Sequence, residues 1–398
     1  MRGDKSVFKS FIFNGKEPCP CGSGYLYKNC CKTKKPRGFH TEGELLNYMG
    51  KAMRKSRIRT CLVKGCTAKG KDIIKAHAMQ ENRILNKLEV NKKVYMQDFT
   101  KNPEMLEIKE GKREPFYLLD KILIKDATVA TCFCETHDDS IFAKIEKFQY
   151  TLDTLDEEQL FLFAYKTFAF ELYTEIVSKK FQSHMFAGIP QLTKDPSSVK
   201  KYRNTNLKLE DLQYYRDYFD TALAQKDYSG LETVAIELPF RVQFANYMAV
   251  APPFDLMGKK IKSIDSKTKR MRFVFFTTFP VENKSYFLVS ALKSDLNVYG
   301  EYLEQIRNFP IGLIQYYINV FIPLYSQNLI ISPALWDSWS EMGQYGVQFT
   351  VADPQSIKLL MAVKFHLQNI SKASKKQDIK IDTSNIPFDF FIPYTPKP

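Results

Sequence analysis

The 398-residue chain contains no run approaching the roughly 20 apolar residues of a membrane span. Its best candidate, Ile311–Tyr325, is interrupted by Gln315, Asn319 and Pro323 and reads as buried core. Met1 to Gly15 mix charge with aromatic residues and lack the apolar centre of a signal peptide, so neither export nor a membrane is expected. Histidine is scarce, with five in all, and His184 and His366 stand far from any other candidate ligand. The C-terminal half has no Gly-rich phosphate loop, no Ser-His-Asp arrangement, no internal repeat and no low-complexity tract. These gaps speak against P-loop chemistry and triad hydrolysis there.

What is present is ample apolar material and a strongly uneven charge. Hydrophobic residues make up 44% of the chain, with 31 Phe and 22 Tyr, enough for sizeable cores, and the length suits two or three domains. The net charge of +14 lies at one end. Residues 1–100 hold 22 Lys and Arg against 8 Asp and Glu, whereas residues 101–398 hold 36 of each. A basic field concentrated in this way attracts polyanions such as nucleic acid or the ribosome, although a lysine-rich face that merely solvates the protein has the same composition.

Eight cysteines fall in two clusters, and without an export signal they point to a reducing, cytoplasmic setting. The first cluster is Glu17-Pro-Cys19-Pro-Cys21-Gly-Ser-Gly-Tyr-Leu-Tyr-Lys-Asn-Cys30-Cys31. Gly22 and Gly24 allow the backbone to fold back, and four thiols brought together by one short turn are what tetrahedral zinc requires. The competing pair of disulfides would join adjacent or near-adjacent thiols under strain. This stretch resembles the SEC-C motif, a zinc module found at the C-terminus of the SecA translocation ATPase and in many unrelated bacterial proteins. The resemblance covers about residues 14–35, with Cys31 where histidine is also common. It implies a bacterial protein, one zinc ion on Cys19, Cys21, Cys30 and Cys31, and contact with other macromolecules.

The second cluster comprises Cys61-x4-Cys66, with Gly65 in the turn, and Cys132-Phe-Cys134-Glu-Thr-His137-Asp138. A knuckle pair followed by a pair leading into a helix outlines a treble clef. Cys61, Cys66, Cys134 and His137 are the preferred ligands, and Cys132 is the alternative to Cys134. Between the pairs, Asp72–Ala76 reads as a strand ending at His77. Over about residues 58–148 this order resembles the HNH nucleases, in which a zinc knuckle braces a ββα unit. The resemblance implies His77 as general base and Asp138 as a ligand for a catalytic Mg2+ or Mn2+ ion. Two features depart from that pattern: Lys125–Thr131 contains no asparagine, and Asp138 stands where histidine is common. Two other readings keep the treble clef for binding alone, or make His77 structural or a zinc ligand in place of His137.

The chain therefore reads as α+β and multidomain: a SEC-C zinc module at 14–35, a basic linker helix at 36–57, a treble-clef/HNH-like region at 58–150, a helical segment at 151–230 and a mixed α+β domain at 231–398. Within the linker, Glu42–Ile58 alternates Leu45, Leu46, Met49 and Met53 with a basic face of Lys51, Arg54, Lys55 and Arg57. Between Lys92 and Lys125, extended segments are expected at Lys92–Phe99 and Pro115–Lys125. Thr154-Leu-Asp-Glu157 has the pattern of a capping box opening a helix that runs to Lys179-Lys180. A polar break at Pro190–Asn206 precedes a second helix at Leu207–Ala224. Strands are predicted at Thr233–Leu238, Arg241–Met248, Met271–Phe279 and Ser285–Leu292, and helices at Ser294–Asn308, Ile311–Tyr325 and Pro354–Gln368, before an extended Pro-rich tail. The functional expectation is engagement of nucleic acid, DNA rather than RNA, with HNH-like cleavage in a defence role. The alternative is a non-catalytic zinc-stabilised adaptor that binds ribosome, chaperone or another protein through the SEC-C module or the C-terminal domain.

Overall fold

A computed structural model describes residues 12–109, 112–147, 155–265, 267–326, 328–352 and 388–391. The fold is mixed α+β, and among the described residues no helix is long and apolar enough to cross a membrane. After the first cysteine cluster, α1 (Glu42–Ser56) is capped by Thr41, whose side chain accepts from the Glu44 N–H. Strand β1 (Ala76–His77) leads through a π-helical turn (Glu81–Leu85) into the single turn α2 (Asn86–Leu88). Strands β2 (Lys93–Gln97), β3 (Glu104–Lys109), β4 (Lys112–Phe116), β5 (Leu119–Leu123) and β6 (Val129–Ala130) precede α3 (Glu135–Glu146).

Two long helices follow, α4 (Glu157–Gly188) and α5 (Pro196–Gln225). The capping box opening α4 lies two residues later than the sequence pattern suggests. Asp156 accepts from the Gln159 N–H at 2.8 Å, and Gln159 Oε1 accepts from the Asp156 N–H at 3.2 Å. Thr154 lies outside the described residues. Helix α4 also passes Lys179-Lys180, because its last turns are buried by the N-terminal zinc-type module and α1. Tyr48 donates to the His184 carbonyl at 2.7 Å, and a Cβ at Gly188 would overlap the Tyr48 ring. The polar stretch before α5 turns out to be mostly helical. Asp195 caps it by accepting from the Ser198 N–H at 2.7 Å, Pro196 occupies the first position, and Val199 and Thr205 are buried against α4.

The remaining elements are β7 (Leu231–Leu238), β8 (Phe244–Val250), β9 (Val274–Val281), β10 (Lys284–Leu292), α6 (Leu296–Asn308), α7 (Ile311–Tyr325), β11 (Leu329–Ile331), α8 (Pro333–Ser338) and α9 (Glu341–Ala352). Pro354–Gln368 and most of the Pro-rich tail lie outside the described residues. Seven strands form one antiparallel sheet in the order β5-β2-β11-β8-β9-β10-β7. It takes β2 and β5 from before the helical hairpin and the other five from after it. Alternation along the strands feeds two cores. On one face Phe275, Phe279 and Tyr247 meet α4 through Phe168, Phe163 and Phe170, with ring centroids 4.9–6.5 Å apart. On the other, Phe276 meets Phe321 of α7 at 5.2 Å and Phe244 meets Phe390 at 5.2 Å. Strands β9 and β10 are buried along almost their whole length, which explains why aromatic, aliphatic and small hydroxyl residues fill both of their faces.

Candidate metal centres and the His77 region

The structure brings each cysteine cluster to a point. Cys19, Cys21, Cys30 and Cys31 form one group and Cys61, Cys66, Cys134 and His137 another, with all ligand atoms of a group within 4.8 Å of one another. In the first group, backbone bonds from Cys19 N–H to the Tyr25 carbonyl (2.8 Å) and Tyr27 N–H to the Glu17 carbonyl (2.8 Å) close a narrow loop. Its turn residues Gly22 and Gly24 have φ of 76° and 80°, values costly for a side chain. The helical turn Tyr27–Asn29 then returns Cys30 and Cys31 to the first pair. Cys21 Sγ lies 3.4 Å from Cys19 Sγ and 3.6 Å from Cys30 Sγ. A tetrahedral ion with metal–sulfur bonds of about 2.3 Å sets its ligands about 3.7 Å apart, so the set fits zinc-type coordination.

This module is seated on the helical hairpin. Phe13 and Tyr27 pack with Phe186 of α4 and Tyr202 of α5, the Tyr27 hydroxyl meets Thr193 Oγ1 at 3.1 Å, and the Cys31 thiol donates to the Phe186 carbonyl at 3.6 Å. Arg203 of α5 pairs with Glu17 at 3.1 Å.

In the second group the knuckle is held by Cys61 N–H to the Ala68 carbonyl (3.2 Å) and Cys66 N–H to the Val63 carbonyl (3.1 Å), with Gly65 at φ 79°. Cys134 caps α3, and His137 lies in the first turn of that helix. His137 Nδ1 is 3.4 Å from Cys61 Sγ and 3.2 Å from Cys134 Sγ, and Cys66 Sγ is 4.0 Å from Cys134 Sγ. Burial pushes the Cys61 thiol up to about 11 and raises Cys19 and Cys31 as well. In each group another thiol is pulled down. Burial of Cys21 is outweighed by hydrogen bonds from Ser23 and Cys19, which bring it to about 7, and the Ala68 N–H lowers Cys66. A cation would be needed to ionise the enclosed thiols beside them. Cys132 is not in the group. It is fully buried in the apolar core, where desolvation holds its thiol protonated, so Cys134 is the cysteine that joins His137.

His77 and Asp138 are placed differently. His77 ends β1, which pairs with β6 in the register His77↔Val129. Its Nδ1 lies 2.9 Å from the Ala127 carbonyl, and its Nε2 lies 3.5 Å from Glu81. Burial lowers its pKa and favours the neutral ring. Asp138 stands in the first turn of α3 with Oδ1 buried and without a hydrogen-bond partner, and burial pushes its carboxyl up to about 6. Among the described residues, neither side chain belongs to a group of three metal-binding atoms. Nearby, Lys166 of α4 pairs with Glu146 at the end of α3 and lies over the Phe142 ring at 4.7 Å. Those two residues line a cavity with Gln80, Thr167, Tyr247 and Thr277. Lys166 acts electrostatically on both His77 and Asp138, a buried positive charge that no local motif announces.

Around the two groups the basic residues stay in solvent. Lys51, Lys55, Arg57, Lys69 and Lys71 are exposed, and none forms an ion pair among the described residues. Compared with protein-family models, curated proteins and solved structures, the chain matches none.

Proposed function

We propose that this is a zinc-stabilised nucleic-acid-binding protein. The observation that carries the reading is the set of unpaired cations on α1 and around the Cys61–Cys66 knuckle. They are left in solvent beside two four-ligand groups that suit structural zinc. Zinc would hold backbone loops that have little core of their own, and the lysines and arginines would contact phosphates. The resemblance to SEC-C modules and to the HNH zinc knuckle supports both parts. Binding of labelled duplex DNA should weaken steeply with salt and weaken further in a Lys51→Glu, Lys55→Glu, Arg57→Glu variant. No binding by wild-type protein at low salt removes the reading.

A second reading, HNH-like cleavage with Mg2+ or Mn2+, draws on the orientation of His77. The Ala127 carbonyl holds the ring by Nδ1, leaving a neutral Nε2 of the kind a general base requires. Plasmid cleavage by the wild type that is lost in His77→Ala, at equal zinc content, would support it. Equal inertness of both with binding intact leaves the treble clef as a reader of nucleic acid. The adaptor alternative predicts a stable protein partner in a pull-down and no turnover with any nucleic acid.

A further inference from the structure

Outside both metal groups, one exposed aromatic ring is mounted on a rigid charged support. Tyr214 projects from α5 with 45% of its surface exposed, and the Arg270 guanidinium lies 4.0 Å from its ring centre. Arg270 cannot swing. Its two terminal nitrogens bind the two oxygens of buried Asp295 at 2.7 and 3.2 Å, and one also donates to the Tyr215 hydroxyl at 2.9 Å. Only 12% of the Arg270 side chain and 2% of that of Asp295 are exposed. The Tyr214 ring is therefore backed by a fixed guanidinium and met near-perpendicularly by the Tyr215 ring at 5.7 Å, and the remainder of its surface is exposed.

Basic residues lie on the segments joined to this support. Lys267 and Lys269, in the β8–β9 connection that also carries Arg270, are exposed and form no ion pair among the described residues. Asp265 steadies that turn by accepting from the Lys267 and Thr268 N–H groups, each at 2.8 Å, and by pairing with Arg272 at 2.6 Å. Further along α5, Arg216 donates to the Leu62 carbonyl at 2.9 Å and seats the Cys61–Cys66 knuckle against the helix, with exposed Lys64 acting on Asp220. The outer stripe of α5 itself carries Glu210 and Asp217, both exposed.

We propose that Tyr214 is a base-stacking platform for single-stranded nucleic acid. The proposal rests on the nucleic-acid reading above and names the form of nucleic acid that this surface takes. The exposed part of the ring offers an unpaired base a stacking surface, and the lysines of the connection that carries Arg270 meet the backbone phosphates. Glu210 and Asp217 repel phosphates from the ridge of the helix, which disfavours the rigid duplex and leaves a strand whose bases can turn inward.

The test uses full-length zinc-loaded protein, a fluorescent oligothymidylate of about 15 nucleotides and a duplex of the same length, read by anisotropy. Tyr214→Ala should weaken single-strand binding about 5- to 150-fold and leave duplex binding unchanged, and Tyr214→Phe should bind as wild type. No change in Tyr214→Ala, or an equal loss on both ligands, overturns the platform. So does wild-type binding confined to duplex, in which case the broader nucleic-acid reading stands. Binding of neither ligand removes both. Photocrosslinking of wild-type protein to a 5-iododeoxyuridine strand gives a check free of folding defects. A crosslink mapped by mass spectrometry to Tyr214 supports the platform, and crosslinks found only elsewhere overturn it.

Discussion

The first cysteine-rich segment and the seven-stranded sheet solve the same problem by opposite means, and the second cysteine-rich segment stands between them, with its own ligand group but packed into the core of the sheet. The first segment buries only a small cluster built on Phe13, Tyr27, Phe186 and Val199, and beside it three buried thiols and the half-buried Cys21 form a ligand set that suits a cation. The sheet is covered by helices on both faces with aromatic residues, and its buried charges are paired internally. Lys166 meets Glu146, Lys208 meets Glu171 and Glu175, and Arg270 and Arg272 meet Asp295. Near the metal groups Arg203 pairs with Glu17 and Lys75 with Asp126, but Lys51, Lys55, Arg57, Lys69 and Lys71 form no ion pair among the described residues and remain available to a ligand. Both ends of the molecule use charge, and the larger unpaired set lies at the N-terminal end.

The largest test of this contrast removes a ligand. Cys134→Ser should lower the zinc content from about two ions per chain to about one, since structural zinc in small sites contributes about 10–16 kcal/mol of folding free energy. Hydrogen exchange should then show lost protection around Cys61–Ala78 and α3, with β9 and β10 still protected. Global loss of protection would mean that the metal supports the sheet as well, and the contrast would break.

A smaller effect is expected inside the core. Asp295→Ala leaves Arg270 without its buried counter-charge and Arg272 with Asp265 alone, a change that costs about 3–5 kcal/mol. Urea unfolding should report this loss while zinc content stays at the wild-type value. A loss of under about 1 kcal/mol would show that solvent reaches these groups.

The smallest effect concerns pH. Burial depresses the folded pKa of His77 below its usual 6.5, so protonation favours the unfolded chain. Its contribution is intact above about pH 6.5 and is lost as the pH falls through that value toward the depressed one. His77→Asn should therefore lose less stability than wild type between about pH 7.5 and pH 5.5. Identical losses would show that the ring is free to ionise in place, as an exposed residue would be.

Local chemistry was legible where a few neighbouring residues settle the matter. The four thiols between Cys19 and Cys31 and the pairs at 61/66 and 134/137 come together as their spacing suggests, because glycine turns and a helix start bring each pair close. The strands from Leu231 to Leu292 followed from their β-branched and aromatic runs, which in β8, β9 and β10 reflect burial on both faces. The β3–β4 hairpin and the elements from Leu329 to Ala352 were not legible. β3 and β4 carry mixed charge and apolar residues, and β11 is a three-residue strand defined by its place between β8 and β2. The end of α4 was missed because its signal lies in Phe13 and Tyr48, more than a hundred residues away.

The sequence by itself determined the first ligand set, the candidates for the second, the basic N-terminal charge and the α+β character, since each rests on residue type and short spacing; the choice of Cys134 over Cys132 needed the packed molecule. Only the tertiary structure decided that β2 and β5 share a sheet with β8–β11. Only there do the zinc-type module and α4 meet, Lys166 come to lie beside His77 and Asp138, and Arg270 brace Tyr214. Those are contacts across long loops, selected by complementary burial and charge in the packed molecule, and no window of neighbouring residues carries that information.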